Sequence, residues 1–142
     1  MVGGDGPAVV LVGVDGSPTS LRAGAYAAGM ARRQGARLVV VYVARTYPLM
    51  AGLAPEGLPA VDVSEREAAA EVRELVAASV HGVQAEFRVV RGEPFGALCR
   101  VADEIRADAV VVGASTGAGH RLVGSLAVKL VRAGRWPVTV VP

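Results

Sequence analysis

A glycine-rich segment in the last third of the chain carries the residue types that best suit a chemical role. It runs from Gly113 to Ser125, contains four glycines and ends where a helix is predicted to begin. Glycines let backbone amides approach an anion, the helix start adds partial positive charge, and the Ser125 hydroxyl can donate a hydrogen bond. The segment predicts a cradle for a phosphate or similar anion. The alternative is an ordinary flexible connection in which Ser125 caps the helix.

Three charged or titratable side chains could act with this cradle. Asp15 follows the first apolar run, and its carboxylate can accept a hydrogen bond from an amine or a hydroxyl. It could equally be a turn residue before Gly16. Arg121 could neutralise phosphate charge or be a solvated arginine, and His120 fits an exposed loop residue better than a general base. We expect both to be possible phosphate contacts.

Catalytic motifs are incomplete. Residues 113–117 spell the G-x-S-x-G pattern of a nucleophile elbow, but no Asp or Glu follows Asp108, so the acid of an acyl hydrolase is missing. A dinucleotide fingerprint fails because Leu122 stands at its last glycine position, and a Walker A loop fails because Lys129 lies inside the last helix. The sequence predicts no catalytic residue.

Metal binding is not predicted either, because the two histidines and the single cysteine (His81, His120 and Cys99) lack paired ligand spacing. Cys99 instead falls on an apolar helical stripe and is expected to be a core residue.

Five short valine-rich runs predict the strands that position these residues: Ala8 to Val14, Leu38 to Val43, Gln84 to Val90, Ala109 to Val112 and Pro137 to Val141. Most of them lack polar alternation, which indicates parallel strands covered on both faces. Helical patterns fill the gaps, beginning near Pro18, Ser64, Pro94 and Ser125. Ser64 and Glu67 suggest a capping box, and Gly82 a left-handed helix stop.

Strands that alternate with helices predict a single-domain, doubly wound α/β fold with a parallel five-stranded sheet and helices on both faces. In the expected strand order 3-2-1-4-5, the ligand crevice lies between strands 1 and 4, lined by Asp15, Gly16 and Gly113. The proline-rich, nearly uncharged residues 46–63 predict an irregular apolar loop.

Composition limits the class of protein. With 142 residues and 52% apolar side chains, the chain fits one domain, residues 1–142, with its core at about 8–142. The net charge is only +2 and no basic tract occurs, so nucleic acid is not an expected partner. No run is long enough to span a membrane and no leader pattern is present, so a cytoplasmic protein is expected.

Four blocks in order resemble the universal stress protein family: residues 14–17 (VDGS), 110–113 (VVVG), 124–125 (GS) and 137–141 (PVTVV). The resemblance covers about residues 8–142. It implies a stress-response or signalling module that binds an adenine nucleotide such as ATP or AMP, with or without Mg²⁺ and with no covalent cofactor. It implies at most weak ATP hydrolysis. The nucleotide-binding residues that it implies are Asp15, Gly16, Val43, Val112, Gly113, Thr116, Gly117, Gly124, Ser125 and Leu126.

The sequence departs from the ATP-binding pattern of that family in one place. The pattern has a glycine where Thr116 stands and nine residues before the closing glycine and serine, whereas here seven residues separate Thr116 from Gly124. The same fold without nucleotide binding, acting as a dimeric interaction or regulatory protein, is therefore the alternative function.

The last strand is expected to lie at a sheet edge, and exposed edges invite pairing. We therefore expect a homodimer in which these C-terminal strands face each other across a two-fold axis.

Overall fold

The computed structural model describes residues 6–44, 63–115 and 124–142, and these ranges form alternating strands and helices. The strands are β1 (Val9–Val14), β2 (Arg37–Ala44), β3 (Gln84–Arg91), β4 (Ala109–Gly113) and β5 (Val138–Val141). The helices are α1 (Pro18–Gln34), α2 (Val63–Ala77), α3 (Pro94–Ile105) and α4 (Ser125–Ala133). Each predicted strand is confirmed to within about one residue at either end. The predicted loop at residues 46–63 lies outside the described ranges apart from Val63, which begins α2.

The five strands form one parallel sheet in the order β3-β2-β1-β4-β5, as predicted. β1 lies at the centre of the sheet, where it pairs with β2 on one side and with β4 on the other. The strand order therefore reverses between β1 and β4, because β2 and β3 lie to one side of β1 and β4 and β5 to the other. Val10, Leu11 and Val12 of β1 are fully buried, because β1 is central and both of its faces are covered. This explains why the strand is a continuous apolar run with no polar alternation.

Two helices cover each face of the sheet. One face packs against α1 and α2 and has its core around Val12, Ala27 and Val72. The opposite face packs against α3 and α4, with Leu11, Leu98 and Leu130 at its centre. The buried face of α1 is built largely from alanine and glycine, so this helix lies close to the sheet. None of the helices in the described ranges has the length and apolar character that a membrane crossing requires.

Helix ends follow the sequence signals in most places. Ser17 caps α1 by accepting from the Ser20 amide, and Gly35 ends it in a left-handed conformation with φ 64°. The predicted limits of α2 are wrong: it begins at Val63, so Ser64 lies inside its first turn, and it ends at Ala77. Gly82 does adopt a positive φ of 73°, but in the turn that follows the helix.

Cys99 is half-buried and packs against the apolar layer under α3, as expected for a core residue. Burial raises the pKa of its thiol, and the charges of Asp103 and Glu93 act in the same direction. Arg135 opposes them but is outweighed. The thiol is therefore favoured over the reactive thiolate, which suits a packing role.

Candidate functional site

A crevice of about 760 Å³ lies at the carboxyl ends of β1 and β4, where the strand order reverses. In an open α/β sheet this is where the loops diverge and leave room for a ligand. The described residues that line it are Gly13, Val14, Asp15, Ser17, Thr19, Ser20, Val41, Val43, Gly92, Glu93, Pro94, Leu98, Val112, Gly113, Ala114, Ser115, Gly124, Ser125, Leu126, Ala127 and Lys129. The crevice thus has an apolar floor of strand residues and a polar rim of helix starts.

The wall after β1 is held by a turn that fixes Asp15. The Asp15 amide donates to Ser20 Oγ at 3.1 Å, and the Asp15 carboxylate accepts from the Ser17 amide at 2.9 Å. Gly16 takes a φ of 89° between them. Asp15 therefore builds the turn, which is one of the two roles considered from the sequence, and it also lines the crevice. Gly16 shapes the turn and is not among the described lining residues.

The wall after β4 touches α1 closely. The Thr19 hydroxyl donates to the Ala114 carbonyl oxygen at 2.6 Å, although the two residues are 95 positions apart in the chain. A Cβ on Gly113 would lie 2.6 Å from the Thr19 carbonyl carbon, so only glycine fits there. Sequence reasoning found Gly113 but missed Thr19 and Ser20, which are both buried.

The start of α4 forms the far end of the crevice. Gly124 is its N-cap with φ −63° and ψ 162°, and no side chain caps the helix. The suggested capping role of Ser125 is therefore wrong, because Gly124 holds the N-cap position and Ser125 is the first residue of the helix. The start of α1 is capped by Ser17 and that of α3 by Glu93. Of these three helix starts, that of α4 alone has no hydrogen bond from the side chain of its N-cap residue.

Ser115 and Gly124, the described residues on either side of residues 116–123, lie close together at this point. A Cβ on Gly124 would lie only 3.0 Å from Ser115 Cβ, so the residue before the segment and the residue after it are in contact. The α4 start therefore lies at the crevice, although the sequence between Thr116 and Gly124 is two residues shorter than in the family pattern.

An ion pair that sequence reasoning did not anticipate lies at the rim. Both oxygens of Glu93 accept from the first amides of α3, at 3.1 Å from Phe95 N and 2.9 Å from Gly96 N. Lys129 Nζ of α4 lies 4.0 Å from Glu93 Oε1. The sequence signal for the cap was present, because a carboxylate directly before Pro94 is a good N-cap. Nothing in the sequence indicated that Lys129 would face it.

Most of the predicted site residues in the described ranges meet at this crevice: Asp15, Val43, Val112, Gly113, Gly124, Ser125 and Leu126. Thr116, Gly117, His120 and Arg121 lie outside the described residues. Within the described ranges no group of His, Cys, Asp or Glu is arranged to hold a metal ion.

The parallel sheet order β3-β2-β1-β4-β5, with a crevice between β1 and β4, defines the class of doubly wound α/β domains. Comparison with known families makes the assignment narrower. The sequence model described as the universal stress protein family matches residues 8–142, and the chain belongs to that family.

Solved structures of that family superpose over nearly the whole chain. A universal stress protein from Burkholderia pseudomallei is 30% identical with a TM-score of 0.72, over 95% of this chain and 96% of that one. A universal stress protein solved in complex with cAMP is 29% identical with a TM-score of 0.69, over 95% and 96%. UspA from Lactobacillus plantarum is 26% identical with a TM-score of 0.73, over 94% and 97%. No match was found among curated protein sequences.

Proposed function

We propose that the protein binds an adenine nucleotide in the crevice and acts as a stress-response or signalling module through that binding. The observation that carries the proposal is the crevice itself, with the Asp15 turn at one end and the uncapped α4 start at the other. Its volume of about 760 Å³ is within the range of small-molecule sites. The relative solved with cAMP supports the proposal at 29% identity.

The chemistry of the lining suggests how the ligand lies. The base would pack against the apolar floor near Val43, where Asp15 can accept from an exocyclic amine or a hydroxyl. The sugar would lie over Val112 and Gly113. The phosphate would then reach the backbone amides at Gly124 to Leu126, where the helix start favours negative charge. These groups bind and orient a ligand, and the proposal assigns them no catalytic step. We place this activity in the cytoplasm, where adenine nucleotides are made and used.

Calorimetric titration of nucleotide-stripped protein with ATP, AMP and cAMP, each with and without Mg²⁺, tests this proposal. We expect saturable binding of at least one nucleotide. Asp15→Asn keeps an oxygen acceptor for the turn and removes the charge, and we expect it to weaken binding about tenfold or more, as for loss of a charged hydrogen bond. Gly124→Val should also weaken binding, because its side chain would press on Ser115.

The matched control is Glu74→Gln, which removes one negative charge from an exposed position of α2. It should bind as the wild-type protein does. No heat and no thermal shift of the wild-type protein with any nucleotide would reject the nucleotide proposal and leave the interaction module as the function.

We also propose that the protein is a homodimer paired through β5. The two sheet edges differ in charge: on β3 the Glu86 carboxylate accepts from Arg88 Nε at 2.8 Å, and Arg88 also reaches Glu104. Charged side chains on an edge strand discourage edge pairing. The β5 edge has the half-buried residues VTVV and no charge. The guanidinium of Arg22 on α1 donates to the carbonyl oxygen of Pro142, which directly follows β5. Tyr26 lies one helical turn after Arg22 and is 45% exposed, so it adds apolar surface on that side of α1.

The proposed dimer predicts that Val140→Pro gives a monomer. The carbonyl oxygens of Pro137 and Val141 accept from β4, so by alternation the amide of Val140 points outward. Proline there removes an edge donor without breaking the β4–β5 ladder. Light scattering at high micromolar concentration should give the mass of a dimer for the wild type and of a monomer for the variant.

Val89→Pro is the matched control on the opposite edge. The Gly92 amide donates to the Ala44 carbonyl oxygen, so the Val89 amide points away from β2 by the same alternation. This variant should keep the dimer mass. A monomeric wild type, or a dimeric Val140→Pro variant, would contradict pairing through β5.

A further inference from the structure

The rim of the crevice contains one residue whose role the proposed function leaves open. Lys129 is the single lysine of the chain, and it lies on α4 four positions after Ser125. Residues four apart share one face of a helix, so both side chains lie on the same wall of the crevice. Among the described residues that line the crevice, the charged side chains are Asp15, Glu93 and Lys129, and Lys129 is the cation of that group.

The partner of Lys129 is a carboxylate that α3 already holds. The two oxygens of Glu93 accept from Phe95 N and Gly96 N, which fixes the carboxylate at the helix start. Lys129 reaches it only at 4.0 Å, and the two side chains are 56% and 62% exposed. A long, exposed ion pair of this kind contributes little stability. Lys129 can therefore exchange Glu93 for a better acceptor at small cost, and Glu93 keeps its two helix amides.

An anionic ligand would supply that acceptor. A phosphate at the α4 start would enter a crevice whose described lining already contains two carboxylates, Asp15 and Glu93, and its charge needs a nearby cation. The ammonium group of Lys129 sits on a flexible four-carbon stem and can turn toward the Ser125 end of the same wall. We propose that Lys129 leaves Glu93 and binds the phosphate of the ligand, so that this lysine sets the preference for a nucleotide over a nucleoside. This inference rests on the proposed function, because it gives a role to a residue of the same crevice.

Comparing AMP with adenosine tests the role of Lys129, because the two ligands differ by the phosphate. We expect Lys129→Met to weaken AMP binding about tenfold or more and to leave adenosine binding within about twofold of the wild type. The salt dependence of AMP binding should also fall, since one cation is lost. Arg132→Met is the matched control, because it removes an exposed cation from the last turn of the same helix, away from the lining residues. It should leave both affinities unchanged.

The single lysine allows a second, direct measurement. Reductive methylation with ¹³C-formaldehyde keeps the positive charge and labels Lys129 and the N-terminal amine, which serves as the internal reference. Titration with AMP should move the Lys129 methyl signal, and titration with adenosine should leave it in place.

The outcomes separate the two proposals. Wild-type protein that binds neither AMP, cAMP, ATP nor adenosine would reject the proposed function and with it the role of Lys129. Wild-type protein that binds AMP, with a Lys129→Met variant that binds it equally well or loses adenosine in parallel, would reject only the role of Lys129.

Discussion

Gly113→Ala is expected to lower the free energy of unfolding by about 1–3 kcal/mol, the usual cost of forcing an extra carbon into a packed interior. The new Cβ would lie 2.6 Å from the Thr19 carbonyl carbon and 2.7 Å from both the Thr19 carbonyl oxygen and the Ser20 nitrogen. These are backbone atoms of the first turn of α1, so no side-chain rotation relieves the contact. The substitution has to push α1 away from β4.

That displacement should also impair the crevice. The Thr19 hydroxyl bonds to the Ala114 carbonyl oxygen, and Ser20 Oγ accepts from the Asp15 amide, so moving this turn moves both walls. We therefore expect Gly113→Ala to lose nucleotide binding under conditions in which the variant is still folded. Urea denaturation followed by circular dichroism, together with nucleotide titration, measures the two effects.

Gly24→Ala is the matched control for this prediction. Gly24 is buried within α1, and a Cβ there would meet Val14 and Val76 at 3.8 and 3.9 Å, which are ordinary contact distances. Alanine is the better helix former, so this variant should gain about 0.5–1 kcal/mol. A Gly113→Ala variant as stable as the wild type would show that β4 and α1 are not in the close contact described above.

Leu98→Ala is expected to have a larger effect, about 2–5 kcal/mol of lost stability. Leu98 is only 1% exposed and packs in the layer between the sheet, α3 and α4. Its side chain also lines the crevice, and a Cβ at Gly13 would lie 3.1 Å from Leu98 Cδ1. Truncation therefore leaves a void both in the core and in the crevice floor.

Leu75→Ala provides the control for Leu98, because Leu75 is 53% exposed on α2. Its truncation should change stability by no more than about 0.5 kcal/mol. Denaturant midpoints with unchanged slopes would show that both variants unfold in the same two-state manner. A Leu98→Ala variant that loses no more stability than Leu75→Ala would contradict the central packing role given to Leu98.

The sequence alone predicted the strands, the helices that separate them and the parallel character of the sheet. The apolar runs at Val9–Val14 and Ala109–Gly113 lack alternation, because strands buried on both faces meet apolar neighbours above and below. Parallel strands and intervening helices then leave few topologies, and the expected strand order 3-2-1-4-5 is the one that the structure shows. Local signals also placed Asp15 directly after β1 and Gly124 directly before α4, which put both at the same edge of the sheet.

Only the tertiary structure decided which residues meet across the crevice. Thr19 bonds to Ala114, and Lys129 faces Glu93, although neither pair is close in the sequence. Such contacts depend on the distance and angle at which each helix packs on the sheet, and these are set by the side chains between them, such as the small residues under α1. Periodicity reports which face of an element is buried, but it carries no information about the neighbour that covers that face, so the contacts between the walls of the site could not be predicted from the sequence.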